Sequence, residues 1–442
     1  MADYENVSWS GWSLRATSVG GSDWGYQQDR ATCDIFVAGP ETTNFRVGID
    51  CDNETQKINS IDRIVLKFTT TIANPVACII EVPAISILWS NTFDRKLRAV
   101  DWVSGSDATG VAQWPRANYG FGTPLSYDTV AGRARLLPAP LRFRLNAAGL
   151  TKIATPGTHY FALVHENDDS GSLNWVGSQN SYIQVDNPAT ENDNQPIVRV
   201  FGGNISEVQQ VSPSPVAGVH STDIAGTEVV FIRTNASSPD INFSEGDIEW
   251  AGTGSSASYF MLNRFDLSSL AGKTCVYARF DVLARPDTAN ETDYWFKAGI
   301  IRHDIDFVGA GGTYYRDTTP WADRATLDME YDAFFSGYGD GLSITTVTTK
   351  KFIEAYGATH ADWLTLINNV LSGTDAYPAN KLTIGVRSTV TDELRIINGS
   401  QTDPTDEYAG PTLTLGFGAA AAPAEYIVVG VESIVGLESI AW

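Results

Sequence analysis

The sequence predicts an all-β chain in which one β-sandwich module occurs twice. Three observations predict it. A set of short apolar runs recurs in the same order at an offset of roughly 200 residues, the size of one large β domain. The first copy reads Lys67-Phe68, then Ala77-Cys78-Ile79-Ile80-Glu81-Val82, and closes on Pro196-Ile197-Val198-Arg199-Val200. The second reads Arg264-Phe265, then Ala278-Arg279-Phe280-Asp281-Val282, and closes on Pro411-Thr412-Leu413-Thr414-Leu415. Between these ends, each copy carries a short helical pattern followed by an apolar strand: Leu145–Ile153 then His159–His165, and Thr359–Leu371 then Lys381–Val386. The composition agrees. Charged residues make up only 19% of the chain, and Gly, Thr, Ser, Asn and aromatics fill the gap, which suits many strands and many turns. A hydrophobic fraction of 43% marks the chain as globular.

Taken in order, residues 1–30 hold Trp9, Trp12 and Trp24 among Ser and Gly and read as an N-terminal arm or first strands. Module one is expected over 31–203. Ile64–Phe68 and Cys78–Val82 are short, apolar and β-branched, hence strands. Ala73-Asn74-Pro75 between them is a turn. Leu145–Leu150 is a short helix with Asn146 placed as N-cap, and Thr158–Val164 returns as a strand. Pro196 opens the last strand, where a missing N–H is tolerated. Residues 204–225 include Gln209-Gln210-Val211-Ser212-Pro213-Ser214-Pro215 and read as an extended linker.

Module two is expected over 226–417, starting near Glu228–Ile232. Its clearest helix is Thr359–Leu371. Thr359 and Asp362 form a capping-box pattern, and Trp363, Leu366, Ile367, Val370 and Leu371 make one apolar stripe. Gly373 is placed to end it. The remainder, 418–442, differs from both modules. Ala419–Ala422 and Pro423 lead into Tyr426-Ile427-Val428-Val429. A six-residue repeat follows, Gly430-Val431-Glu432-Ser433-Ile434 then Gly436-Leu437-Glu438-Ser439-Ile440, and the chain closes on Trp442. An unpaired apolar tail is an aggregation liability. The expectation is an assembly arm that engages a neighbouring subunit through Tyr426, Ile427, Val429, Val431, Ile434, Leu437, Ile440 and Trp442.

The run Phe260-Met261-Leu262-Asn263-Arg264-Phe265-Asp266-Leu267-Ser268-Ser269-Leu270, followed by Thr274 and Ala278–Val282, resembles the core motif of DNRLRE-type β-sandwich domains. Those domains have a jelly-roll fold and are related to carbohydrate-binding modules. Leu145–Ile153 with Tyr160-Phe161-Ala162-Leu163 is similar to related modules of bacterial surface and phage structural proteins. Module one departs from the motif: Lys67 stands where Arg264 does, and Thr69-Thr70-Thr71 replaces the Asp-Leu-Ser-Ser run. The resemblance implies two tandem jelly-roll-like β-sandwich domains with an extended apolar C-terminal arm. It implies a fold and no ligand site.

The chemistry-bearing residues are few. A net charge of −22 with no basic run excludes nucleic acid as a partner. No run approaches the ~20 apolar residues of a membrane span. The first residues lack a basic and an apolar signal region, so the expectation is cytoplasmic synthesis without classical export. Cys33, Cys51, Cys78 and Cys275 form no CxxC pair and are expected as buried thiols. The five histidines, His159, His165, His220, His303 and His360, fit no catalytic zinc motif. No nucleophile elbow, phosphate loop or dinucleotide fingerprint occurs.

Two candidate sites remain. His165, Asn167, Asp168 and Asp169 crowd oxygen ligands into a turn, which suits a structural calcium; the same residues are also ordinary turn chemistry. Trp102, Trp114 and Trp175 lie in polar stretches and are candidates for stacking against a glycan. The function expected is a non-enzymatic virion structural protein of a bacteriophage: a capsid decoration, head-fibre or tail component. It would be made in the host cytoplasm and reside in the virion, with other virion structural proteins or copies of itself as partners. The alternative is a carbohydrate-binding surface protein with tandem jelly-roll modules, directed at host surface glycans.

Overall fold

The computed structural model describes residues 3–23, 27–38, 45–51, 57–82, 84–89, 95–131, 141–172, 179–185 and 197–211. Beyond these it describes 215–216, 226–227, 229–235, 240–243, 249–254, 257–286, 293–301, 342–345, 351–354, 361–374, 380–388, 393–397 and 412–418. The chain is built of antiparallel β-sheets with few helices, and the module occurs twice.

In the first module, β1 (Tyr4–Ser8), β6 (Ala77–Val82), β10 (Leu141–Arg144) and β13 (Ile197–Phe201) form a four-stranded sheet in the order β1-β13-β6-β10. The facing nine-stranded sheet is organised around the long strand β5 (Lys57–Thr70). β5 pairs with β2 (Ser10–Asp23), β4 (Phe45–Cys51) and β11 (Gly157–His165); β3 (Ile35–Ala38) extends β2, and β8 (Arg95–Asp101) lies beyond β11.

Side-chain alternation along β5 explains the layering. Ile64, Leu66 and Phe68 point inward with Phe161 and Leu163 of β11. They meet Cys78, Ile80 and Val82 of β6, Phe143 of β10, and Val198 and Val200 of β13 in one buried core. Val65 points the other way and joins Leu14 and Ala16 of β2, Val100 of β8, and Ala162 and Val164 of β11. This second core lies on the outer face of the large sheet. Trp102, Trp114 and Tyr119, from the irregular segment after β8, cover it. A sheet buried on both faces needs continuous apolar strands, and for this reason Phe161-Ala162-Leu163-Val164 does not alternate.

The predicted helix is α1 (Ala147–Lys152), capped as expected: Asn146 Oδ1 accepts from Gly149 N at 3.0 Å. Gly149 sits so close to the Leu125 carbonyl that a Cβ would collide with backbone. Asn74, in the predicted turn, takes a left-handed φ of 48°.

The second module repeats the pairing. Strand Ala257–Asp266 pairs with Lys381–Ser388 as β5 pairs with β11, placing Phe265 opposite Leu382 where Phe68 opposes His159. Strand Cys275–Pro286 pairs with Thr412–Gly418 as β6 pairs with β13, placing Phe280 opposite Leu413 where Ile80 opposes Val198. Helix α3 (Ala361–Ser372) buries Ile367, Val370 and Leu371 and ends at Gly373 with φ 66°; Leu366 is half-buried. Asn368 holds the backbone of Cys275 from both sides, accepting from its N–H at 2.7 Å and donating to its carbonyl at 2.9 Å. Thr359 and the Trp363 side chain lie outside the described residues.

The linker expected over 204–225 is corrected in its first part. Ile205–Val211 is a strand, β14, paired along Thr412–Gly418 just as β1 is paired along β13. It is the opening strand of the second module, and only Gly202–Asn204 separates it from the first. Asp3 grips that crossing: its carbonyl accepts from Gly202 N and its carboxylate accepts from Asn204 N, both at 2.9 Å.

The two modules share a core. Ala77, Ile79 and Phe201, on the outer face of the four-stranded sheet, pack with Ile205, Val208 and Tyr277. Tyr277 makes edge contacts with Tyr4 and Phe201, each at 5.0 Å between ring centroids. Beside this seam lies a buried triad in which Glu81 accepts from Arg142 at 3.0 Å and from Arg199 at 2.5 Å. Burial pushes the Glu81 carboxyl up, but Arg199 and Arg142 outweigh it and hold the group below its ordinary value. Residues 419–442 lie outside the described residues, and with them the whole expected arm: Tyr426, Ile427, Val429, Val431, Ile434, Leu437, Ile440 and Trp442.

Candidate functional site

The outer face of the large sheet in module one gathers the candidates, and it corrects two of them. Trp102 and Trp114 are fully buried in the second core and offer no face to a glycan. The Trp102 indole N–H donates to the Ser106 carbonyl at 2.7 Å and that of Trp114 to the Gln27 carbonyl at 3.1 Å. The polar sequence around them is the outer skin of a segment whose aromatic side chains turn inward. Trp175 lies outside the described residues.

The candidate calcium turn is a five-residue helix, α2 (Glu166–Ser170), and arginines neutralise its carboxylates. Arg63 is fully buried. It donates through Nε to Asp168 Oδ2 at 2.6 Å and through Nη2 to Asp168 Oδ1 at 2.9 Å. Gln28 donates to the Asp168 carbonyl at 2.6 Å, and the Trp114 ring stacks 3.8 Å from the Arg63 guanidinium carbon. Asp169 accepts from Arg98 at 2.9 Å and from Gly122 N at 2.6 Å. His165 Nδ1 accepts from Asn167 N at 3.1 Å and caps the helix. These acids pin the covering segment to the sheet in place of holding a cation. Among the described residues no group of His, Cys, Asp and Glu is arranged to bind a metal.

One part of the same face is left open. Strand register lines up Ser10 of β2, Lys67 of β5 and Tyr160 of β11 in a row across three strands. Thr69 and Thr158 form the next row outward, their hydroxyls 2.9 Å apart. Trp12 is half-buried beside them, with Lys67 Nζ 5.3 Å from its ring centre. Asp107 reaches in from the covering segment. Its two carboxylate oxygens accept from Lys67 Nζ at 2.7 and 2.8 Å, and Oδ1 also accepts from the Tyr160 hydroxyl at 2.9 Å. The side chains of Lys67 and Asp107 are 30% and 50% exposed. The Lys67 ammonium holds the Asp107 carboxyl below its usual range. Partial burial, then Asp107, push the Tyr160 hydroxyl up. The strip therefore offers two half-buried aromatic rings, a fixed cation–anion pair and four hydroxyls, those of Ser10, Thr69, Thr158 and Tyr160. None of Ser10, Lys67, Asp107 or Tyr160 was a sequence candidate, because only the register brings them together.

No protein-family model matches the chain, and no curated protein matches it. Among solved structures, the N-terminal CBM22-1-CBM22-2 tandem domain from Paenibacillus barcinonensis Xyn10C is 8% identical, with 81% of this chain and 87% of that chain covered and a TM-score of 0.16. A truncated AlyQ with CBM32 and alginate lyase domains is 9% identical, with 88% of this chain and 99% of that chain covered and a TM-score of 0.18. At these TM-scores the likeness carries no argument. No helix among the described residues is long and apolar enough to cross a membrane.

Proposed function

We propose that the protein is a non-catalytic binding protein whose first module holds a saccharide on the open strip of its outer sheet face. The observation that carries this reading is the row Ser10–Lys67–Tyr160, flanked by the Trp12 ring and capped by Asp107. Aromatic faces suit the apolar C–H face of a pyranose, and a neighbouring donor–acceptor set fixes its hydroxyls. Strands fix the backbones of Ser10, Trp12, Lys67 and Tyr160, and Asp107 is held to them through Lys67 and Tyr160, so little ordering entropy opposes binding. At the matching register of module two stand Arg264, Thr383 and Val230. The cation is retained and both aromatic residues are replaced, so the reading assigns no second copy of the strip to that register.

A glycan array followed by titration calorimetry tests this. A saccharide should bind with a stoichiometry of one, and Tyr160→Ala should abolish binding while circular dichroism is unchanged. Retention of affinity in Tyr160→Ala would remove the strip from consideration.

A second reading is assembly on a phage particle, with other virion proteins or further copies of the chain as partners and the virion as its location. It is supported by the six-residue apolar repeat over 430–440 and the aromatic residues on either side, Tyr426 and Trp442. Quantitative mass spectrometry across a particle density gradient tests it. A fixed copy number in DNA-filled particles supports it, and a chain confined to the soluble fraction rejects it.

A further inference from the structure

We infer that the strip selects an uncharged saccharide by a vicinal diol bridging Lys67 and Asp107, and rejects uronates and sialosides. This rests on the saccharide reading above and specifies its ligand. Lys67 is the cation of the strip, and Asp107 already neutralises it through both oxygens. A ligand carboxylate would have to displace Asp107 from Lys67 and the Tyr160 hydroxyl, and then leave that anion facing its own charge. It would also approach a chain whose net charge is −22.

Two neighbouring hydroxyls face neither obstacle. An ammonium has three N–H donors and a carboxylate about four lone-pair positions. Three of those positions accept the contacts from Lys67 and Tyr160, so Asp107 keeps acceptor capacity on Oδ2. One hydroxyl of a diol can accept from Lys67 while its neighbour donates to Asp107, with the ion pair intact. Both bonds are charge-assisted, the stronger kind. The Tyr160 and Trp12 rings flanking the pair receive the sugar's apolar face.

The test uses the full chain and titration calorimetry with two probe sets: neutral xylohexaose, cellohexaose and mannohexaose, and anionic hexagalacturonate, hexaguluronate and sialyllactose. A neutral probe should bind, with affinity changing less than about threefold between low and high salt, because no net charge is exchanged. Asp107→Ala should weaken it by about tenfold or more, the effect of one charge-assisted hydrogen bond. Asp107→Asn should uncover the Lys67 charge and admit an anionic probe that the parent chain refuses. Asp107 lies half-exposed on the surface, so both variants are expected to fold, and circular dichroism checks this. If the tightest ligand is a uronate or sialoside that weakens as salt rises, the saccharide reading stands and the neutral-diol inference falls. The inference also falls if neutral binding ignores both substitutions at Asp107. If neither probe set binds, the saccharide reading itself falls.

Discussion

Replacing Asp168 with Ala should be among the most damaging single changes in the first module. The Arg63 guanidinium is fully buried, and two of its three hydrogen bonds go to that carboxylate at 2.6 and 2.9 Å. The third goes to the Trp114 carbonyl at 2.7 Å and survives. Removing one partner of a buried pair leaves an uncompensated charge, which costs about 3–5 kcal/mol. Gln28 loses its contact with the Asp168 side chain as well, at 3.2 Å, but keeps the backbone carbonyl. Since whole domains are stable by only about 5–15 kcal/mol, a loss of this size is a large share of the total.

Urea unfolding followed by tryptophan fluorescence reads it, because Trp114 stacks on Arg63. The midpoint should fall with the slope unchanged. The double variant Arg63→Met with Asp168→Leu supplies the control. It removes the stranded charge and should recover much of the loss, since apolar replacement of a buried pair is often neutral. A loss below about 1 kcal/mol in Asp168→Ala, or no recovery in the double variant, would refute the claim that this pair pins the covering segment.

Three further outcomes follow from the packing. Glu81 titrates below its ordinary value of 4.5 in the folded chain, so its contribution is present above that value and is lost as pH falls through the folded pKa. Stability from denaturant midpoints should therefore drop between about pH 5 and lower pH, and Glu81→Gln should flatten that slope while lowering stability at pH 7. Tyr277→Ala removes the ring contacts with Tyr4 and Phe201 at the seam and should cost about 3–5 kcal/mol. Calorimetry should then show one transition dividing into two. Gly149→Ala drives a methyl into the Leu125 carbonyl and should cost about 1–3 kcal/mol, seen as a lower melting temperature.

The repeat was legible because its strands are short, apolar and β-branched, and because each copy sets its helix before the same strand. Strand β14 was not. Pro213, Pro215 and the serines around them suggest an extended linker, and the pairing that makes Ile205–Val211 a strand comes from residues more than 200 positions away. Trp102 and Trp114 failed as glycan candidates for a related reason. Local polarity says nothing of burial when an irregular segment folds back over a sheet. The available signal was Arg63, which stands with Asp62 in the otherwise apolar run Ile61–Leu66 and required a buried partner. The calcium turn failed because a cluster of acids looks alike whether its counterion is a metal or a distant arginine. The open strip could not be read at all: Ser10, Lys67, Asp107 and Tyr160 are scattered over 150 residues and meet only through register and the fold of the covering segment.

Duplicated modules are often handled as beads that can be cut apart and studied singly. The seam between these two forbids it. A fragment ending near Gly202 would bare Ala77, Ile79 and Phe201 to water, an apolar patch on a β-sheet surface. The complementary fragment would uncover Tyr277, Ile205 and Val208. Each half carries the other's missing outer wall, so the halves should precipitate or self-associate alone and dissolve together when co-expressed. The two modules are in this sense a single physical object, joined by an internal surface that neither possesses by itself.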